Sequence, residues 1–493
     1  MTKGTSLALL FGTLVVVAAC GDLNVPDLNN PGLSELETNP TRVVVIDATQ
    51  GLFIGARQNI AAFNGYVSEL GVLGRESYNF DAGDPRFITE LLRGPLDGGS
   101  PRFGGNLWNE RYANIRNANL VLNALDILGG PPVGMTDEEK ESIRGVVKTI
   151  QALDFLLVID TRDTLGAPID VNLALGAPLA PFVTDTAVFA HIVDLLDAAV
   201  THLAAGGSTF PFAMPPGFTG FTTPGSFVEF NRALKARVEA YRATRLGCAA
   251  CWSSALSAID SSFLNVTPDT SLKDAVDPVA TAAMLASGAY YDFGSGSGDL
   301  ANGIFDPTGS KQRGHPSLRT QLELQSGGQP DQRFLDKVAT VASKTRPFNH
   351  SSDMAFTIYA SSVAPVPIIR NEELILLRAE AELGLGNQAS AAALINYIRV
   401  NSGRLPPRAG LDVAPTADVI TELLQQRLYS LLFEGGHRWI DARRYHGPQS
   451  AAPLADMGLP SEDAGDKVFS VMPIPADECA ARSLPNNCYP LAP

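Results

Sequence analysis

Side chains able to do chemistry are plentiful in this 493-residue chain, but their spacing selects little of it. The six histidines are scattered, with no His-Glu-x-x-His run and no pair at metal-ligand spacing, so neither a metal nor another cofactor is expected. There is no phosphate-binding Walker loop, and Gly294-Ser295-Gly296-Ser297-Gly298 has glycine where a nucleophile elbow needs serine. Two carboxylates meeting in a cleft would suffice to hydrolyse a glycoside. Nothing among the 52 acidic residues singles out such a pair, and the expectation is a binding protein, not an enzyme. Two aperiodic stretches instead bring aromatic and polar residues together: Tyr78, Phe80, Asp81 and Arg86, then Tyr290, Tyr291 and Asp292. Aromatic faces beside Asp and Arg suit a hydroxyl-rich ligand, because they cover the ring while pairing its polar groups. Plain loop packing accounts for each of these residues equally well.

The net charge of −15 speaks against nucleic acid, whose phosphates need a basic surface. Lys3, the apolar run Leu7 to Ala19 and then Cys20 describe a secretory signal peptide over residues 1–19, too short to span a bilayer. Its ending, Val17-Ala18-Ala19-Cys20, resembles a bacterial lipobox, so the mature chain is expected to be anchored through lipid on Cys20, with 20–39 as an extended tether. No later stretch reaches the roughly 18 apolar residues of a membrane helix. The remaining cysteines, Cys248, Cys251, Cys479 and Cys488, allow three pairings in an oxidising compartment. Local closure of Cys479 on Cys488 is plausible because Pro485-Asn486-Asn487 can fold back between them, whereas Cys248 and Cys251 read as a structural disulfide or as two reduced thiols.

Apolar residues at helical spacing predict helices over 40–63, 137–160, 189–203, 227–245 and 416–433, with a hairpin of two short helices between 371 and 399 turned at Gly384-Leu385-Gly386-Asn387. Arg237-x-Glu239-Ala240 and Arg378-x-Glu380-Ala381 form a weak internal repeat, each followed by Leu-Gly and an Ala-rich helix. Repeated hairpins imply an all-α, tetratricopeptide-like scaffold. Residues 66–105 read as long loop, 268–366 as an irregular insertion, and 468–475 as an extended strap.

The run from Glu372 to Arg444 resembles the C-terminal signature of the SusD/RagB family of nutrient-uptake outer-membrane lipoproteins. The matching residues are Arg378-Ala379-Glu380-Ala381, then Glu434-Gly435 and Arg438-Trp439-Ile440-Asp441-Ala442-Arg443-Arg444, although two glycines precede His437 where the pattern has one. Trp108, Tyr112 and Asn119 stand in a helix similar to another of the family's, and Pro473-Ile474-Pro475 is similar to its closing segment. Of a family turn near residue 166, only Gly166 and Pro168 remain. On the residues alone, Arg438 to Arg444 read as an ion-pair network with Trp439 as a core plug, rather than as an anion or sugar site.

The resemblance implies a single α-helical domain over 40–493: an N-terminal part 40–265, a loop-rich insertion 266–366 and a signature region 367–493. It also implies a lipid-anchored, surface-exposed protein of the cell outer membrane that binds a nutrient, a glycan or oligosaccharide in the first place and otherwise a peptide. Its partner would be a SusC-like TonB-dependent transporter, on which it acts as a lid. The alternatives are a helical-repeat adaptor binding an envelope protein or peptide and, further off, a glycan hydrolase.

Overall fold

The computed structural model describes residues 33–100, 107–174, 176–266, 278–296, 298–446, 458–486 and 488–489. The signal peptide and Cys20 lie outside the described residues. A helix at Leu33–Thr38 already occupies the end of the stretch expected to be tether.

Helices start where the sequence supplies caps. Thr136 Oγ1 accepts the amide of Glu139 while the Glu139 carboxylate accepts that of Thr136, closing a capping box before Asp137–Arg162. Thr41 and Thr184 hydroxyls cap Arg42–Ala56 and Asp185–Ala205 in the simpler way. Neighbours in sequence are neighbours in space. Asn109–Ile127 packs on Asp137–Arg162, which packs on Asp185–Ala205, then Pro224–Arg245, then Cys251–Asp260. Near the C-terminus, Asn371–Gly384 packs on Gln388–Asn401 and on Thr416–Ser430, with Gly386 taking a positive φ of 84° at the first turn. This is the expected all-α, tetratricopeptide-like scaffold, and Ala379, Ala391 and Ala392 are buried where its hairpin helices meet. Gly384 shows how close the two hairpin sets come: a Cβ there would lie 2.3 Å from the Trp252 ring.

One helix differs from expectation in composition. Asp185–Ala205 is long and apolar enough to cross a membrane, with a mean hydropathy of 1.5. It is an amphipathic helix of the body, burying one face through Val188, Ile192, Leu196, Ala199 and Leu203 and holding Arg232 and Lys235 on Asp197.

The two stretches read as loop contain regular structure. Residues 66–105 hold helices at Tyr66–Leu73 and Arg86–Thr89 and a strand at Ser77–Asn79, which pairs antiparallel with Gln312–Gly314. The insertion carries a hairpin of Val338–Thr345 with Ser351–Phe356, and its strand Gly288–Tyr291 pairs with Val366–Arg370. These strands are short, and the first is buried on both faces, so no alternation betrays it. The strap at 468–475 is extended as expected. It is tied down by Met472 N–H to Thr161 O (2.8 Å) and by Trp439 Nε1 to Phe469 O (2.6 Å).

Both local disulfides form, Cys248–Cys251 in the turn before Cys251–Asp260 and Cys479–Cys488 near the C-terminus.

The turn at Gly435-Gly436 is held by a carboxylate from the opposite end of the chain. Glu76, fully buried, accepts the Phe433 amide (2.8 Å) and the Arg438 amide (3.0 Å) at the start of His437–His446. Burial pushes its pKa up to about 7, against the opposing pull of those two amides. A carboxyl whose folded pKa is raised holds its proton more tightly in the folded than in the unfolded chain. Its contribution to stability is therefore complete below the ordinary Glu range and fades as pH rises towards 7. Urea midpoints measured between about pH 5 and 8 should fall more steeply for the parent protein than for Glu76→Gln. Parallel slopes would remove Glu76 from this role.

Candidate functional site

The family-like residues of the C-terminal run turn inward. Trp439 is fully buried, with the Arg443 guanidinium 3.9 Å above its ring. Asp441 accepts from Arg427 (2.6 Å) and Arg444 (2.9 Å), and Arg444 also reaches Glu380, which takes the Tyr445 hydroxyl at 2.5 Å. Arg438 donates to Arg75 O (2.9 Å) and Gln321 Oε1 (2.8 Å). Glu434 binds Arg370 and Lys337, and Gly435 stands beside the His437 ring. Arg378 alone faces outward, on Asp260 at 2.7 Å. The N-terminal set packs too. Trp108 stacks on Phe182, the Tyr112 hydroxyl donates to Pro168 O (2.8 Å), and Asn119 Oδ1 accepts from Gln151. This is a locking network.

The first proposed ligand group does not present itself to solvent. Tyr78 and Phe80 are wholly buried and stack on each other, centroids 5.1 Å apart, because the strand carrying Tyr78 is covered on both sides. They are core residues. Asp81 closes its own turn on the Gly83 amide (3.1 Å) and faces Lys311, while Arg86 is spent on Asp84 and Ser100.

The second group divides. Strand residues alternate faces. Tyr291 points inward to a cavity of about 30 Å³ shared with Tyr66, Asp160, Arg237, Tyr241 and His437. Tyr290 and Asp292 line an open cleft of about 670 Å³. Three distant segments wall it: the turn at 216–221, the stretch 286–293 that contains the strand Gly288–Tyr291, and Val363 with Pro365, with Glu229 added from the helix Pro224–Arg245 and Phe263 from the turn after Cys251–Asp260. Phe221 packs against Phe263 at 5.1 Å, giving the cleft an aromatic floor. The Tyr290 hydroxyl donates to Ala286 O, and burial pushes its pKa up to about 12, so it stays neutral.

The walls are braced from behind. Arg57, at the end of Arg42–Ala56, donates to Asp292 O and pairs with Asp299 at 2.5 Å, fixing the loop that follows the strand. Asn302 holds the opposite wall through Ser362 O (2.7 Å) and Ala364 O (2.8 Å). Gly217 lets the first wall touch the strand: a Cβ there would meet Tyr290 O at 2.0 Å. Gly217→Ala should therefore push the 216–221 turn off the strand. Because the atom met is backbone and not a movable side chain, a lower thermal midpoint is expected; an unchanged midpoint would show that the turn does not press on the strand.

Phe221, Glu229, Phe263, Phe293 and Val363 were not foreseen. Phe221 stands in a Phe-, Pro- and Gly-rich stretch, but nothing in the sequence joins it to Tyr290. Among the described residues no group of three or more His, Cys, Asp or Glu side chains could hold a metal ion.

Residues 282–478 match the SusD family. Solved structures with the same fold include a SusD superfamily protein from Parabacteroides distasonis, at 16% identity and a TM-score of 0.64, covering 89% of this chain and 98% of that one. B. fragilis NanU gives 16% and 0.62 over 93% and 99% of the two chains, and a laminarin-binding SusD-like protein 18% and 0.59 over 90% and 99%. No curated protein matches the chain. At these identities the likeness to the solved structures is one of fold.

Proposed function

We propose, taking as premise the SusD family match over 282–478 and the SusD-superfamily fold of the body, that this chain is a nutrient-binding protein of the cell outer membrane. It is anchored there by lipid on Cys20, takes an oligosaccharide into the cleft at Tyr290 and Asp292, and hands it to a TonB-dependent transporter as its lid. The observation that carries the binding role is the cleft itself: aromatic floor, two carboxylates at its wall, and a bracing layer behind each side. Such a site holds a ligand by ring contact and hydrogen bonds, with no covalent step. Glycan is favoured over a peptide bound by strand addition, which needs an open sheet edge. Gly288–Tyr291 is paired on one side by Val366–Arg370 and approached by the Gly217 turn at Tyr290 O.

Two experiments test this. The tagged lipoprotein drawn from mild-detergent membranes should bring with it a stoichiometric TonB-dependent barrel; an extract without one removes the transporter half. Purified protein should retain oligosaccharide, and Tyr290→Ala should weaken that about tenfold or more, in line with the loss of an aromatic contact plus its buried area. Unchanged retention by Tyr290→Ala would place the ligand elsewhere.

A further inference from the structure

We propose that the cleft selects amine-bearing sugars, as in a glucosamine oligomer, over neutral and anionic ones; this rests on the glycan-binding reading above. The cleft's charge is one-sided. Among the described residues that line the cleft, the acidic ones are Asp292 and Glu229, and there is no lysine, arginine or histidine. Asp292 is about one-third exposed, and its carboxylate stands beside Gly217 in the first wall. Glu229 is exposed on the same opening.

The nearest cation behind the wall is already committed. Arg57 is almost wholly buried, its Nη2 is 2.5 Å from Asp299, and its Nη1 donates to Asp292 O; the Asp292 carboxylate is farther off, at 3.8 Å. The arginine thus fixes the Asp292 backbone while leaving its carboxylate the weaker partner. Two carboxylates over an apolar floor repel a uronate and attract an ammonium, and the low-dielectric floor strengthens both effects. An ammonium group set on a ring also suits the aromatic floor, since aromatic faces attract cations. A neutral sugar would bind through the rings and hydroxyl hydrogen bonds, without the added charge attraction.

The test uses three tetrasaccharides of equal length with the purified full chain: glucosamine, N-acetylglucosamine and galacturonate oligomers. Titration calorimetry is run at about pH 5.5, where the sugar amines are largely protonated. The glucosamine oligomer should bind about tenfold or more tighter than its acetylated counterpart, and the galacturonate oligomer should not bind. In Asp292→Asn combined with Glu229→Gln, the ratio of the glucosamine-oligomer affinity to the acetylated-oligomer affinity should fall to about one, whatever the two absolute affinities become. Equal affinity for the amine and acetylated forms, lost together in Tyr290→Ala, would overturn this selectivity and leave the glycan site standing. Binding of the galacturonate oligomer, or of a lysine-rich tetrapeptide in place of all three sugars, would overturn it as well. If none of the sugars binds, selectivity and glycan reading fall together, and the transporter pull-down is unaffected.

Discussion

Glu434→Ala will destabilise the fold by roughly 3–5 kcal/mol, the range for removing one partner of a buried ion pair. The carboxylate accepts from Arg370 Nε (2.8 Å), Arg370 Nη2 (2.9 Å) and Lys337 Nζ (2.7 Å), all in the interior. Alanine would strand two cations there. Arg370 keeps Glu372, and Lys337 keeps the carbonyl of Ser430 at 2.6 Å, but the shared acceptor that joins insertion to signature is lost. Glu434→Gln, which retains one acceptor oxygen, should fall between. Urea denaturation reads the difference as a lower midpoint at an unchanged slope, and a midpoint matching the parent would show that the network contributes only geometry. The pH response follows from the same pairs. Burial opposes ionisation of Glu434 and Glu372, yet Arg370 holds both below the ordinary range, Glu372 at about 2. A depressed carboxyl gives stability that is complete above its unfolded pKa and lost as pH falls. The parent should therefore lose stability below about pH 4.5 faster than Glu434→Gln.

The second large effect is at Gly436, and it should cost about 2–5 kcal/mol as alanine, from adding left-handed strain to overpacking. Gly436 has φ +69°, and a Cβ there would lie 2.2 Å from Leu70 Cβ. Leu70 is itself fully buried in Tyr66–Leu73, so the contact cannot open without moving that helix. Alanine at Gly435 is the control, because its nearest neighbour would be the His437 ring edge at 3.3 Å, which can swing. Comparable midpoints for the two variants would contradict the backbone argument.

The second glycine was visible in the sequence as a departure from the pattern, and the structure supplies its reason: close approach of a helix from residues 66–73. That helix was itself illegible, because all of its residues are buried and no apolar–polar alternation remains to reveal it. Tyr78 and Phe80 were misplaced for the same cause. Asp137–Arg162 was legible in its acidic, capped start, and Asp185–Ala205 in its one-sided burial, features written in residue types. Tyr290 and Asp292 were legible as aromatic and acidic loop residues, but Tyr291 was not separable from them until the strand fixed which face each takes. Phe221, Phe263 and Val363 belong to segments some 40 to 140 residues apart in sequence, and only tertiary contact brings them to one cleft.

That last property makes the cleft an internal gauge of the folded state. Since its walls come from three separate stretches, the unfolded chain has no comparable site, and any occupant binds only the folded form. Saturating such an occupant at about 100 times its dissociation constant adds about 2.7 kcal/mol to unfolding. A melting experiment on the unmodified protein thus becomes a ligand screen that needs neither label nor transporter, and the ranking of sugars by melting temperature should reproduce their ranking by affinity.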